Sequence, residues 1–210
     1  MRPKVKVCGV TDPVFAAEAA RRGIDYIGVI FASSSPRFVG EARAREIAAA
    51  VRAERPQSPP KVVGVFVGGT AAEIQRVADA VSLDVVQLHG GQDRETAVEL
   101  KGEGLEVWRL VEDASSVEAL RETVDALLLD GRDGGRSGGT GRLADWARVG
   151  ELKEMGFRVV LAGGLSSENA VSAVATGADI LDFNSSLEIS PGVKSIRKLD
   201  DLIANLAVAL

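Results

Sequence analysis

Eight short aliphatic runs alternate strictly with stretches that carry helix spacing and helix caps, and few architectures accommodate that order. The runs are Val5 to Val7, Tyr26 to Phe31, Val62 to Val67, Val85 to Leu88, Val107 to Val111, Ala126 to Leu129, Val159 to Ala162 and Ile180 to Phe183. Each is bounded by polar or glycine-rich residues and has the length of a buried strand. Asp12 can cap a helix with Pro13 at its first position, and Gly23 follows its end. Thr70 to Glu73 and Ser115 to Glu118 have the spacing of capping boxes, in which the hydroxyl serves a free amide while the glutamate reaches back. Ile196, Leu199, Leu202, Ile203 and Leu206 mark one face of a closing helix.

A parallel strand must be reached by a crossover, so this alternation predicts a parallel sheet with helices on its outside. Two closures compete. An open doubly wound sheet would place a glycine-rich dinucleotide fingerprint after its first strand, whereas Cys8-Gly-Val-Thr-Asp-Pro13 has no such spacing. An α/β fold closed as an eight-stranded β/α (TIM) barrel is therefore expected, and residues 1–210 are read as one catalytic domain. Arg55 to Pro60 is a proline-rich connection within it. The strand-helix unit recurs in pattern without visible residue identity between copies.

Composition narrows the partners. The net charge of -5 arises from 30 acidic and 25 basic residues scattered along the chain, so no basic stripe prepares a surface for nucleic acid. A lone cysteine, Cys8, excludes an internal disulfide and a multi-cysteine zinc site, and it suits a reducing compartment. His89 is the only histidine. No apolar run approaches the ~20 residues of a membrane span, and Met1-Arg-Pro-Lys4 leads into a short strand. The chain is expected to be cytoplasmic, with a small molecule as its partner whose phosphate is predicted by the turns at Gly163-Gly164 and Asn184-Ser185; no protein partner is indicated.

In such barrels the reactive groups sit at the C-terminal ends of the strands. Those positions hold Cys8, Phe31, Val67, His89, Arg109, Asp130, Gly163 with Gly164, and Asp182. Gly163 and Gly164 allow close backbone approach, and Asn184 with Ser185 offers amides and a hydroxyl where a short extra helix can favour an anion. Together they predict a phosphate site. Lys6 shares the inward parity of Cys8, so its ammonium is expected to favour the thiolate below the free thiol's pKa of ~8.5.

Asp130 ends the sixth run, nearly across the mouth from Cys8, the placement an acid and a base need to work on opposite sides of a sugar. Arg37 can form a bidentate pair with a substrate carboxylate. Gln87 and His89 are read as polar members of the site wall. Asp182 either orients a substrate hydroxyl or stabilises its own loop. Gly131 to Arg142, rich in glycine, is expected to be a lid over the mouth. Trp108 and Trp146 are expected to pack between helices and barrel.

With these residues identified, the chain resembles the phosphoribosylanthranilate isomerase family from end to end. The resemblance is carried, in order, by Val5-Lys-Val-Cys-Gly-Val-Thr11, Gly64-Val-Phe-Val67, Gln87-Leu-His-Gly90, Leu128-Leu-Leu-Asp130, Gly138-Gly-Thr-Gly141, Asp145-Trp146 and Leu161-Ala-Gly-Gly164. It implies an Amadori rearrangement without a cofactor, with Cys8 as general base, Asp130 as general acid, and Arg37 at the anthranilate carboxylate. It also implies that the turns after the seventh and eighth strands hold phosphate. For the acid role, an aspartate with a reference pKa of ~3.9 must remain protonated at neutral pH. The chain departs from the family at Asp182-Phe-Asn-Ser-Ser-Leu-Glu188, where Ser186 replaces a glycine, and at Ala144 and Ser195.

Other barrels fit less well. A metal-dependent epimerase would need more histidines. A two-aspartate aminoaldose isomerase would need aspartate at position 8. A barrel that binds phosphorylated ligands without catalysis would not need both Cys8 and Asp130.

Overall fold

Each of the eight runs forms a strand: β1 (Lys4–Val7), β2 (Tyr26–Ile30), β3 (Lys61–Phe66), β4 (Val85–Leu88), β5 (Glu106–Leu110), β6 (Ala126–Leu129), β7 (Val159–Leu161) and β8 (Ile180–Phe183). They pair in parallel in that order, and β1 closes on β8, with Lys6 opposite Asp182, to complete the barrel. The computed structural model describes residues 2–111, 114–131 and 146–208, and of residues 114–116 the backbone only. Apart from Gly131, the segment read as a lid lies outside the described residues, as do the Ser115 and Ser116 side chains.

The outer layer comprises α1 (Pro13–Arg21), α2 (Glu41–Glu54), α3 (Ala71–Val81), α4 (Arg94–Gly102), α5 (Ala147–Glu154), α6 (Ala170–Ala175) and α7 (Ile196–Val208). Its caps follow the sequence. Asp12 accepts from Val14 and Phe15 backbone amides at 3.2 Å, and Thr70 and Glu73 form a reciprocal capping box. Such a cap contributes about 1 kcal/mol. Between β5 and β6 the expected helix is a 3₁₀ segment, Ala114–Leu120.

Alternation along the strands separates two apolar populations. Tyr26, Val63, Val85, Trp108, Ala126, Leu128, Val160 and Ile180 fill the barrel, while the larger cluster lies between sheet and helices. Trp108 thus corrects its expected place: it is fully buried inside the barrel, edge-on to Tyr26 with ring centroids 5.0 Å apart. Its inward parity turns Arg109 outward, where the guanidinium donates to the Gln92 and Asp93 carbonyls instead of lining the mouth. Trp146 packs against the outer cluster as expected.

A repeat invisible as sequence identity appears at the base of the barrel. The residue before each even strand is an aspartate: Asp25, Asp84, Asp125 and Asp179. Each carboxylate accepts the backbone amide of Val5, Val62, Val107 or Val159 on the preceding odd strand, at 2.8 to 2.9 Å. The barrel is therefore clamped in pairs of strands at the end opposite the mouth. That clamp serves stability and leaves the upper rim to chemistry.

Beyond β8 lies a ribbon that no alternation in the sequence announces. A 3₁₀ turn (Ser185–Leu187) leads into a two-stranded antiparallel ribbon, β9 (Glu188–Ser190) and β10 (Val193–Lys194). Pro191-Gly192 between Ile189 and Val193 is the turn signal that marks it.

Candidate active site

At the mouth, β1 delivers Lys6 and Cys8 on one inward-facing row. Lys6 is completely buried, and its Nζ donates to Asp182 Oδ2 at 2.6 Å and to Gln87 Oε1 at 2.9 Å. Gly28 on β2 makes room for this pair: a Cβ there would come within 2.9 Å of Cys8 Sγ and 3.1 Å of Lys6 Cε. Burial would lower the Lys6 pKa, but the charges of Asp182 and Cys8 hold it above the ordinary lysine value. An ammonium is the form present.

The thiol behaves differently from the expectation of a depressed pKa. Burial pushes Cys8 above the ordinary thiol value; Lys6 pulls it down, Asp182 opposes that pull, and Lys194 adds a weaker downward one. The physical reason is that the Lys6 charge is shared with Asp182 and so only partly offsets the desolvation of a thiolate.

From Lys6 a directional chain crosses the barrel. An ammonium can only donate, so Gln87 must present Oε1 to it and Nε2 to His89, whose Nδ1 lies 3.2 Å away. Nδ1 is then the acceptor, and neutral His89 carries its proton on Nε2, which faces Asp130 Oδ2 at 3.5 Å. Gln87, His89, Lys6 and Asp182 thus join the two sides of the mouth at which Cys8 and Asp130 stand. Asp182 Oδ1 is buried without a hydrogen-bond partner among the described residues.

Asp130 is seated by the turn after β7. Gly163 has φ +80°, and a Cβ there would lie 2.1 Å from Gly131 N and 2.5 Å from Asp130 Oδ1, so only glycine fits. Gly164 follows with φ +73°, its carbonyl held by Asn169 Nδ2 at 2.9 Å. After β8, Asn184 and the exposed Ser185 open the 3₁₀ turn expected there. Ser186, the departure from glycine, has its hydroxyl oxygen buried without a partner among the described residues.

The ribbon adds two residues that the sequence reading did not single out, Glu188 and Lys194. Glu188 takes Arg37 in a fork, with Nε donating to Oε1 at 2.8 Å and Nη2 to Oε2 at 2.7 Å. Lys194 Nζ donates to Glu188 Oε1 at 2.9 Å, and to the carbonyl and Oδ1 of Asn184 at 2.9 and 2.8 Å. Burial would raise the Glu188 carboxyl, but its hydrogen bonds from Arg37 and Lys194 hold it below the usual carboxylate value. Arg37 lies across Gly9, where a Cβ would meet Arg37 Cδ at 2.7 Å. That places the stem of the Arg37 side chain against the backbone of the residue that follows Cys8.

The mouth therefore offers a thiol and a carboxyl nearly across from one another, a guanidinium fork, and two glycine- or amide-rich turns side by side. Among the described residues, no three His, Cys, Asp or Glu side chains cluster as a metal site, and no helix is long and apolar enough to cross a membrane.

A family model described as N-(5'phosphoribosyl)anthranilate (PRA) isomerase matches residues 5–205. The N-(5'-phosphoribosyl)anthranilate isomerase of Citrifermentans bemidjiense is 39% identical over 206 residues, covering 96% of this chain and 95% of its own. The tryptophan biosynthesis protein TrpCF of Vibrio cholerae is 38% identical over 96% of this chain, which spans only 41% of that longer protein. Among solved structures, phosphoribosyl anthranilate isomerase from Thermus thermophilus superposes with a TM-score of 0.85 at 33% identity, covering 99% of this chain and 100% of its own. An isomerase in complex with reduced 1-(o-carboxyphenylamino)-1-deoxyribulose 5-phosphate superposes with a TM-score of 0.81 at 29% identity, covering 98% of this chain and 99% of its own.

Proposed function

The chain belongs to the N-(5'-phosphoribosyl)anthranilate isomerase family, and on that premise we propose that it converts N-(5-phosphoribosyl)anthranilate into 1-(2-carboxyphenylamino)-1-deoxyribulose 5-phosphate. The observation that carries this reading is the pairing of Cys8 and Asp130 at the ends of β1 and β6, joined by the Lys6-Gln87-His89 chain.

In this reading Asp130, protonated, gives its proton to the furanose oxygen, the bond from that oxygen to C1 breaks, and C1 becomes a Schiff base with the anthranilate nitrogen. The Cys8 thiolate takes the proton from C2, the electrons of that C–H bond form the C1–C2 double bond, and the C1–N π pair returns to the nitrogen of the protonated Schiff base to leave an enolamine. Movement of a proton from the C2 hydroxyl to C1 gives the ketone. The substrate gains one proton at the ring oxygen and gives one up at C2, so no atoms are gained or lost, and proton exchange with solvent returns Asp130 and Cys8 to their starting forms. A thiol held above its ordinary pKa is ionised in only a small fraction at neutrality, but each thiolate so formed is a stronger base.

The remaining groups position the substrate. Arg37 meets the anthranilate carboxylate, since a guanidinium fork matches a planar carboxylate. The amides at Gly163 and Gly164, with Asn184 and Ser185, hold the phosphate, and Asp182 Oδ1 accepts from a ribose hydroxyl. His89 Nε2 supports the Asp130 carboxylate once its proton has left. Residues 1–210 act as one catalytic domain in the cytoplasm, on a small phosphorylated substrate.

The test is to supply N-(5-phosphoribosyl)anthranilate to the purified protein and follow anthranilate fluorescence. A catalysed loss of substrate signal that disappears in Cys8→Ala supports the proposal. A rate equal to the uncatalysed one sinks it.

A further inference from the structure

Arg37 has two edges on which it can form a fork, and the structure shows which is in use. Glu188 occupies the edge made by Nε and Nη2. Nη1, together with the second hydrogen of Nη2, makes the other edge, and Nη1 takes no part in the Glu188 fork. Glu188 is itself held from behind: Lys194 Nζ and the Gly192 amide both donate to its Oε1, at 2.9 and 3.3 Å, and both partners sit on the ribbon. The Glu188 and Lys194 side chains are nearly inaccessible, at 5% and 2% exposure, so this arrangement is built into the fold and not a solvent-screened surface pair.

We propose that Glu188 is the positioning residue for Arg37, fixing the guanidinium by its Nε/Nη2 edge so that the Nη1/Nη2 edge meets the carboxylate of the substrate. The inference rests on the reading of Arg37 given above. It assigns the ribbon after β8 a purpose: β9 supplies the carboxylate that orients Arg37, and β10 supplies the ammonium that keeps this carboxylate charged and in place. An arginine without such a clamp would lose rotamer freedom each time it engaged a ligand, and that cost would be subtracted from affinity. Because Lys194 also bonds Asn184 directly, the phosphate turn keeps its own anchor when Glu188 is changed.

The experiment compares two ligands on the full chain, the reduced product analogue, which carries the carboxyphenyl group, and ribose 5-phosphate, which lacks it. Affinities are measured for the parent, Glu188→Gln, Arg37→Met and the double variant, each verified as folded by circular dichroism. Glu188→Gln should weaken the analogue about tenfold and ribose 5-phosphate by less than about twofold, as expected for loss of a charged hydrogen-bond partner serving one end of the ligand. In the Arg37→Met background the same change should have no further effect on the analogue. Glu188→Asp, which keeps the charge but withdraws it, should reproduce the selective loss. In turnover, KM should rise while kcat stays within about twofold. Equal weakening of both ligands, an undiminished effect without Arg37, or tighter binding of the analogue would each overturn the proposal. If Arg37→Met itself leaves the analogue unaffected, the reading of Arg37 fails first, and that result is separable from a failure at Glu188.

Discussion

The Lys6 ammonium and the Asp182 carboxylate meet at 2.6 Å inside the barrel, Lys6 without any exposed surface and Asp182 nearly so. The pair joins the first strand to the last at the level where the register sets them opposite one another. It is both a closure of the barrel and the source of the charge beside Cys8.

Removing one partner leaves the other buried and uncompensated. Lys6→Met should therefore destabilise the protein by ~3–5 kcal/mol, whereas Lys6→Met with Asp182→Asn should recover much of that loss. Urea unfolding of the parent and the two variants checks this, and a Lys6→Met protein as stable as the parent would show that the pair is energetically idle. The same substitution should move the alkylation of Cys8 to higher pH, because Lys6 pulls the thiol pKa down while burial raises it. In the parent the alkylation midpoint should already lie above the ordinary thiol value of ~8.5. A midpoint below it would show that the Lys6 charge outweighs burial, and one unmoved in Lys6→Met would remove Lys6 as a partner of the thiol.

Glu188 gives a prediction at acid pH. Its carboxyl is depressed in the folded state by Arg37 and Lys194, against the effect of burial. Such a group stabilises the fold above its unfolded pKa of ~4.3 and loses that contribution as pH falls through the folded value. The stability gap between the parent and Glu188→Gln should thus be constant near neutrality and close below about pH 4. A gap that persists at the lowest pH at which both remain folded would contradict it.

The base of the barrel should separate stability from activity. Asp25→Ala orphans the Val5 amide that its carboxylate holds at 2.9 Å, and should cost about 1–3 kcal/mol. Its kcat should stay near that of the parent, since the clamp lies opposite the mouth. A large fall in kcat with unchanged unfolding would show that the base and the rim are coupled.

The strands were legible because a buried parallel strand is an unbroken aliphatic run, and Val85–Leu88, Ala126–Leu129 and Ile180–Phe183 begin and end where those runs do. The outward turn of Arg109 and the inward place of Trp108 follow from strand parity, a signal that was present but outweighed by the position of Arg109 at the strand end. The ribbon escaped because Glu188–Ser190 and Val193–Lys194 are too short to show alternation, leaving Pro191-Gly192 as their only mark. Cys8 and Asp130 stood out by position, yet the direction of the Cys8 shift was not readable. It depends on how the Lys6 charge is divided between Cys8 and Asp182, and that division requires β1 to lie beside β8.

Whether Asp130 delivers a proton to the ring oxygen is decided by Asp130→Asn. Asparagine keeps the shape and can donate a hydrogen bond to that oxygen, but it has no proton to transfer. Single-turnover fluorescence of N-(5-phosphoribosyl)anthranilate on the variant, with affinity for the reduced product analogue measured alongside, separates binding from ring opening. Analogue affinity should stay close to the parent's while the rate falls by at least ~10²-fold, the contribution of an acid catalyst. A variant that turns over substrate at near the parental rate would show that Asp130 only shapes the site, and the mechanism proposed for this barrel would be wrong.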